Sequence, residues 1–214
     1  MSLEITVRGS AEERVPPELA VLSLVVAVEG TDREEVRARA AAAHAPLVAA
    51  LTGLAEGGSL ERWSSDDVRV GSHRPWEGAG RAEVPLHTAR LTTEAVFTDL
   101  AALDAFVDTW AGHADVELDG VTWDVGHGTR HTCEHAVRRA AVEDAVARAQ
   151  AYAYAVRAGR VTAVRIADPG LLDGHEAQPF ALAAKRSSGD DGSLALAPTD
   201  VVIRAEVHAR FVAG

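Results

Sequence analysis

A single cysteine, Cys133, stands among 214 residues. That excludes an intramolecular disulfide framework and a multi-cysteine zinc site, and it fits a reducing compartment. Long hydrophobic runs are missing too: the longest, Leu19 to Val28, is interrupted by Ser23 and reaches about half of the roughly 20 residues a membrane-spanning helix needs. Met1 and Ser2 pass straight into the alternation of Leu3, Ile5 and Val7, with no basic start, apolar signal core or small-residue cleavage site. A cytoplasmic location without membrane insertion is the expectation. Positive charge is scarce, 21 basic against 32 acidic side chains for a formal net charge of −11, so most of the surface repels a phosphate backbone and nucleic acid is not an expected partner. HExxH, GxSxG and GxxxxGK[ST] do not occur, which removes the simplest signatures of a metalloprotease, an α/β-hydrolase and a nucleotide-binding loop.

Apolar residues make up 47% of the chain, enough for a core without covalent staples. Leu3, Ile5 and Val7 alternate with polar residues as a half-buried strand, and after Pro16 and Pro17 the run LAVLSLVVAV reads as a central strand, expected to pair with the first. Thr31 and Glu34 form a capping-box pattern. Val36, Ala40, Leu47, Leu51 and Leu54 then follow helical spacing to Gly57 and Gly58, with Pro46 expected to kink or divide the rod. Val68 and Val70 mark a third strand, and 71–85 reads as a loop or hairpin carrying an exposed Trp76. Ala89, Leu91, Thr93, Ala95 and Phe97 alternate as a fourth strand, Asp99 caps a short helix to Trp110, and 116–125 forms a fifth strand with a bulge at Gly120.

The stretch between Gly128 and Gly159 predicts one long helix, about 130–158, whose inward seam is nearly all small: Val137, Ala141, Ala145, Ala149, Tyr152 and Val156, with Gly159 as the left-handed stop. Its arginines interleave with Glu134, Glu143 and Asp144 as a solvated mixed-charge face. Val161, Val164 and Ile166 give a short sixth strand, about 170–198 a flexible excursion, and Val201 to Phe211 a last alternating strand expected at a sheet edge. Strand pairs followed by helices predict an α+β fold, antiparallel sheet with helices on one face. The reading is a single domain over 1–214, with possible subdomains at about 1–84 and 85–214.

Five segments carry a resemblance: Val7-Arg8-Gly9-Ser10, Pro17-Glu18-Leu19-Ala20, Gly120-Val121-Thr122-Trp123, Ala136 through Tyr154, and Ala167-Asp168-Pro169-Gly170. Together they resemble the SIMPL-domain family of bacterial envelope proteins and an animal kinase-associated adaptor, nearly end to end. The resemblance implies an α+β body and, as in some bacterial relatives, a ring-like or channel-like homo-oligomer. It brings no enzymatic residues to carry over. No signal peptide is expected, in which the chain would depart from many bacterial relatives.

Chemistry-bearing residues are few. His127, His131 and His135 recur every four residues, the spacing at which imidazoles on one helix face can share zinc or nickel. The bland alternative makes them exposed first-turn residues and Cys133 a small buried hydrophobe. A cysteine nucleophile at Cys133, or Ser65 with His73 and the neighbouring Asp66 and Asp67, is the weaker hydrolase alternative. Gly189-Asp190-Asp191-Gly192 reads as linker, not calcium loop. Trp76, and Arg204 and Arg210 on the polar face of the last strand, are the interface candidates. The expected function is therefore non-enzymatic binding or assembly, through a homo-oligomer or a protein partner and without a required cofactor.

Overall fold

The computed structural model describes residues 2–74, 76–77, 80–81, 84–171 and 196–214. Along the chain run β1 (Leu3–Val15), β2 (Leu19–Gly30), α1 (Arg33–Glu56), β3 (Leu60–Ser65), β4 (Arg69–His73), β5 (Trp76–Glu77), β6 (Gly80–Arg81), β7 (Leu86–Phe97), α2 (Leu100–Trp110), β8 (Val116–Asp124), α3 (His127–Ala155), β9 (Val161–Ala167) and β10 (Val201–Ala213). Every strand pair is antiparallel and the helices pack on the sheets, so the fold is α+β. Two compact units divide the described residues: 2–16, 125–171 and 199–214 form one, 17–124 and 196–198 the other. They are not sequential halves meeting near residue 84, because one unit is inserted between β1 and α3 of its neighbour. Of the excursion expected at 170–198, residues 172–195, including Gly189 to Gly192, lie outside the described residues.

In the inserted unit β3 and β4 lie end to end along β7, and the order continues β7-β2-β8. Ala20, Leu22, Leu24, Val26 and Val28 of β2 join Ala89, Leu91, Ala95 and Phe97 of β7 on one face. Val36, Ala40, Leu47 and Leu51 of α1 and Leu103, Phe106, Val107 and Trp110 of α2 cover it. Pro46 leaves α1 continuous. Ala42 and Pro46 both lie on its exposed side, so the carbonyl that loses its amide partner faces water. The cap is Asp32, one residue beyond Thr31, and its carboxylate accepts the Glu35 amide at 2.8 Å. Asp99 caps α2 as its sequence indicates, and the Gly120 bulge shifts the β2–β8 register between Ser23 and Leu24.

The other unit orders its strands β1-β10-β9. β1 therefore pairs with the last strand and not with β2, and β10 is central, not an edge. Pro16 and Pro17 explain the first correction, since two fixed φ values without a left-handed residue cannot close a tight hairpin. Helix α3 buries Cys133, Val137, Ala141, Ala145, Ala149 and Ala153. The seam advances by four throughout, so it winds about 40° around the rod per step and follows the twist of the strands beneath. Tyr152 and Val156, expected inside, are accordingly left 60% and 62% exposed.

The tightest approach is at Gly9 of β1, where a β-carbon would stand 2.1 Å from the Ala141 carbonyl oxygen and 2.7 Å from the Ala145 β-carbon. Beside it the Ser10 amide donates to Asp144 Oδ2 at 3.0 Å, and Arg148 pairs with the same carboxylate at 2.8 Å. The Ser10 bond first, then Arg148, hold the Asp144 carboxyl below its usual range.

Both long helices close with the same two bonds. In α1 Ser59 N–H reaches Leu54 O and Gly58 N–H reaches Ala55 O; in α3 Ala158 N–H reaches Ala153 O and Arg157 N–H reaches Tyr154 O. This is the Schellman closure, which needs a left-handed residue at its centre. Gly58 supplies it at φ 78°, but α3 uses Arg157 at φ 58°, two residues before the expected Gly159.

Backbone space and backbone dihedral each set the outcome of a substitution. Gly9→Ala costs about 3 kcal/mol or more in urea unfolding followed by circular dichroism, because a methyl group is driven into backbone. Gly53→Ala, with nothing within 4 Å of the added carbon, stabilises α1 by about 1 kcal/mol and is the control. Arg157→Gly relieves the left-handed side-chain clash and stabilises α3 by about 0.5–1 kcal/mol; an unchanged or lower melting temperature refutes it.

Candidate functional site

Three positions on the chain combine reactive or sticky chemistry with some exposure. The first lies on the stripe of α1 that faces the sheet, where His44 takes the turn between buried Ala40 and Leu47. Its Nε2 stands 3.0 Å from Ser65 Oγ and 3.3 Å from Thr93 Oγ1, and the two hydroxyls are 2.7 Å apart. Thr93 is 1% exposed, while His44 and Ser65 are half-buried. With Nε2 neutral and accepting, Thr93 can donate to Ser65 and Ser65 to the ring, which satisfies the polar atoms facing the core. Burial pushes the His44 pKa down, favouring this neutral form.

Ser65 thus does meet a histidine, though not His73, which instead lies 3.6 Å from Glu29. A serine beside a neutral imidazole is half of a nucleophilic triad. Among the described residues no carboxylate orients the ring, and the hydrogen bonds of His44 go to the two hydroxyls. The shallow depression of about 300 Å³ lined by Asp66, Asp67, Arg69, Thr88, Arg90 and Thr92 opens on the opposite face of β7 from Thr93. His44 was not singled out from sequence. Its signal was legible: a histidine four residues after Ala40 and three before Leu47 sits on the core stripe.

The second position is the start of α3. His131 and His135 meet edge to face one turn apart, with Nε2 atoms in hydrogen-bond contact at 3.3 Å and ring centroids 4.5 Å apart. The His127 ring centroid is 6.4 Å from that of His131. Cys133 lies on the buried side, with Val125, Val137 and Ile203, away from the exposed histidines. Among the described residues no group of three or more histidine, cysteine or carboxylate side chains is placed to hold a metal ion. The three histidines are therefore a pair plus a neighbour.

The third is the exposed surface of the strands, beginning with the three-stranded sheet. On its helix-free face Arg204 pairs with Glu12 at 3.0 Å, Arg210 with Glu4 at 3.2 Å and Arg8 with Glu206 at 3.2 Å. Arg204 and Arg210, both proposed for an interface, thus serve the β1–β10 ladder first. Trp76 is 72% exposed on β5. The apolar surface sequence reading passed over is β9, where five consecutive residues from Thr162 to Ile166 are exposed, Val164 by 54% and Ile166 by 48%. Its register sets Ile166 opposite buried Ala209, so Ile166 shares the helix side of the sheet without being covered.

The small-residue seam lies close against a sheet, as its spacing indicated, and the strand it meets most closely is β1 at Gly9. Residues 5–211 match the family described as SIMPL, protein of unknown function (DUF541). The chain belongs to the SIMPL family. No curated relative matches it. No described helix is long and apolar enough to cross a membrane.

The His44 cluster predicts a pH response. Unfolded His44 takes up its proton near pH 6.5 and folded His44 at a lower pH, so between those values the unfolded state holds more protons. The stabilisation is complete above pH 6.5 and is lost as pH falls through the folded pKa. Tryptophan-monitored unfolding at a series of pH values should show this slope, and His44→Gln should flatten it. An identical slope in the variant refutes the assignment.

Proposed function

We propose that this SIMPL protein is a non-enzymatic assembly domain that self-associates by antiparallel pairing of β9 with β9 of a second copy. The observation that carries the reading is the exposed apolar edge from Val161 to Ala167, which bears one charge, Arg165. Other long edges are guarded: β1 carries Glu4, Arg8, Glu12, Glu13 and Arg14, and β8 carries Glu117, Asp119 and Asp124. Charge on an edge strand deters pairing, and its scarcity on β9 leaves main-chain groups open to a partner.

The sequence of this edge also suits a copy of itself. A two-fold axis through Val164 sets Val164 against Val164, Ala163 against Arg165 and Thr162 against Ile166. It then brings exposed Arg160 against exposed Asp168 at both ends. No like charges oppose one another, which an isologous pairing requires. The uncovered Ile166 on each side gains a neighbour. Support for a non-enzymatic role is narrower: among the described residues no acid bonds to His44 beside Ser65, and Cys133 is packed in the core.

Sedimentation equilibrium is expected to show a dimer that Ile166→Lys weakens about 30-fold or more, with the melting temperature unchanged at concentrations low enough for the parent to be monomeric. Arg160→Glu should also weaken it, and adding Asp168→Arg should restore it. A protein that stays monomeric up to about 100 µM, or a dimer indifferent to Ile166→Lys, overturns the reading.

A further inference from the structure

We infer that Nε2 of His131 and Nε2 of His135 together chelate one divalent transition-metal ion of the zinc and nickel class, independently of any pairing through β9. The distance carries this. Zinc–imidazole bonds are about 2.0–2.1 Å, so two nitrogens at a tetrahedral angle on one ion stand about 3.3–3.4 Å apart. The two Nε2 atoms stand at 3.3 Å, with the rings edge to face on consecutive turns of α3. The helix thus preorganises the bite, and its rigid body below is fixed by Val137 and Ala141 in the core.

The surrounding residues define what kind of site this is. Both imidazoles are exposed, so an ion enters from solvent and the remaining positions are taken by water. Glu134 completes H-x-x-E-H over His131 to His135, the reverse of the H-E-x-x-H metal motif. Arg138 holds its carboxylate at 3.0 Å, which makes Glu134 a partner for ion-bound water and not a direct ligand. His127, with its ring 6.4 Å from His131, stays outside the coordination sphere. The site is a two-nitrogen chelate, open on its solvent side.

Zinc chloride titrated into the full, untagged chain, followed by calorimetry and by melting temperature, is the test. One ion per chain with a raised melting temperature is expected. His131→Ala and His135→Ala should each weaken zinc binding at least about 10-fold, while His127→Ala should leave it within about 2-fold. All three side chains are exposed, so the metal-free variants should melt as the parent does, which separates lost binding from lost folding. Wild-type zinc affinity in His131→Ala, equal losses in His127→Ala and His131→Ala, or no binding by the parent chain overturns the inference.

Discussion

At Gly9 the backbone of β1 touches the backbone of α3, and the shape of that unit follows from the contact. A β-carbon there would lie inside the Ala141 carbonyl, so the strand supplies no side chain and the helix supplies only methyl groups at Ala141, Ala145, Ala149 and Ala153. A seam this thin buries little area per residue, and burial is worth roughly 25 cal/mol per Å². Close dispersion contact and the Ser10–Asp144–Arg148 bridge on its flank supplement that burial. Larger apolar side chains from the sheet, Ile5, Val7, Val207 and Phe211, fill the margins.

At Gly9 the two backbones meet directly, and the exposed polar and apolar groups of this unit lie away from that seam. The histidine pair stands on the solvent side of the same helix whose inner side is alanine, and β9 projects past the strip that α3 covers. In the inserted unit the balance differs. There α1 meets the sheet through Val36, Leu47 and Leu51, a wider seam, and the extra depth admits one polar island, His44 with Ser65 and Thr93. Three polar groups on three separate elements satisfy one another, and such a network fixes the register of helix and strands more sharply than apolar contacts do.

Period carried the legible part of this fold. Alternation in β7 and β10, the Asp99 cap, the Gly120 bulge and the small-residue seam to Ala149 all read directly from residue spacing. What spacing could not convey was which strands meet: β1 looks like a partner for β2 until the Pro16–Pro17 link is recognised as a passage between units. It missed β3 because Leu60 and Trp63 are set among Glu61, Arg62 and serines, too polar for a strand pattern though half its face is covered. The seam beyond Ala149 was misread by assuming a fixed face, whereas a twisted sheet selects the i+4 row and so Ala153. The histidine stripe was visible as a period of four, but only side-chain geometry separates the 3.3 Å pair from His127.

The placement of charge ties these features together. A chain with net charge −11 resists its own copies at long range, and that resistance is least where the local balance differs. Between Arg157 and Asp168 there are three arginines, Arg157, Arg160 and Arg165, against one acid. That short stretch holds the strained left-handed closure of α3, the Gln150 side chain that bonds both Gly159 O and the Val161 amide, and the whole of β9. The long helix thereby fixes where β9 begins, and Gln150 orients its first residue. The clamp thus joins the unit whose tightest contact is at Gly9 to a strand edge that carries a single charge.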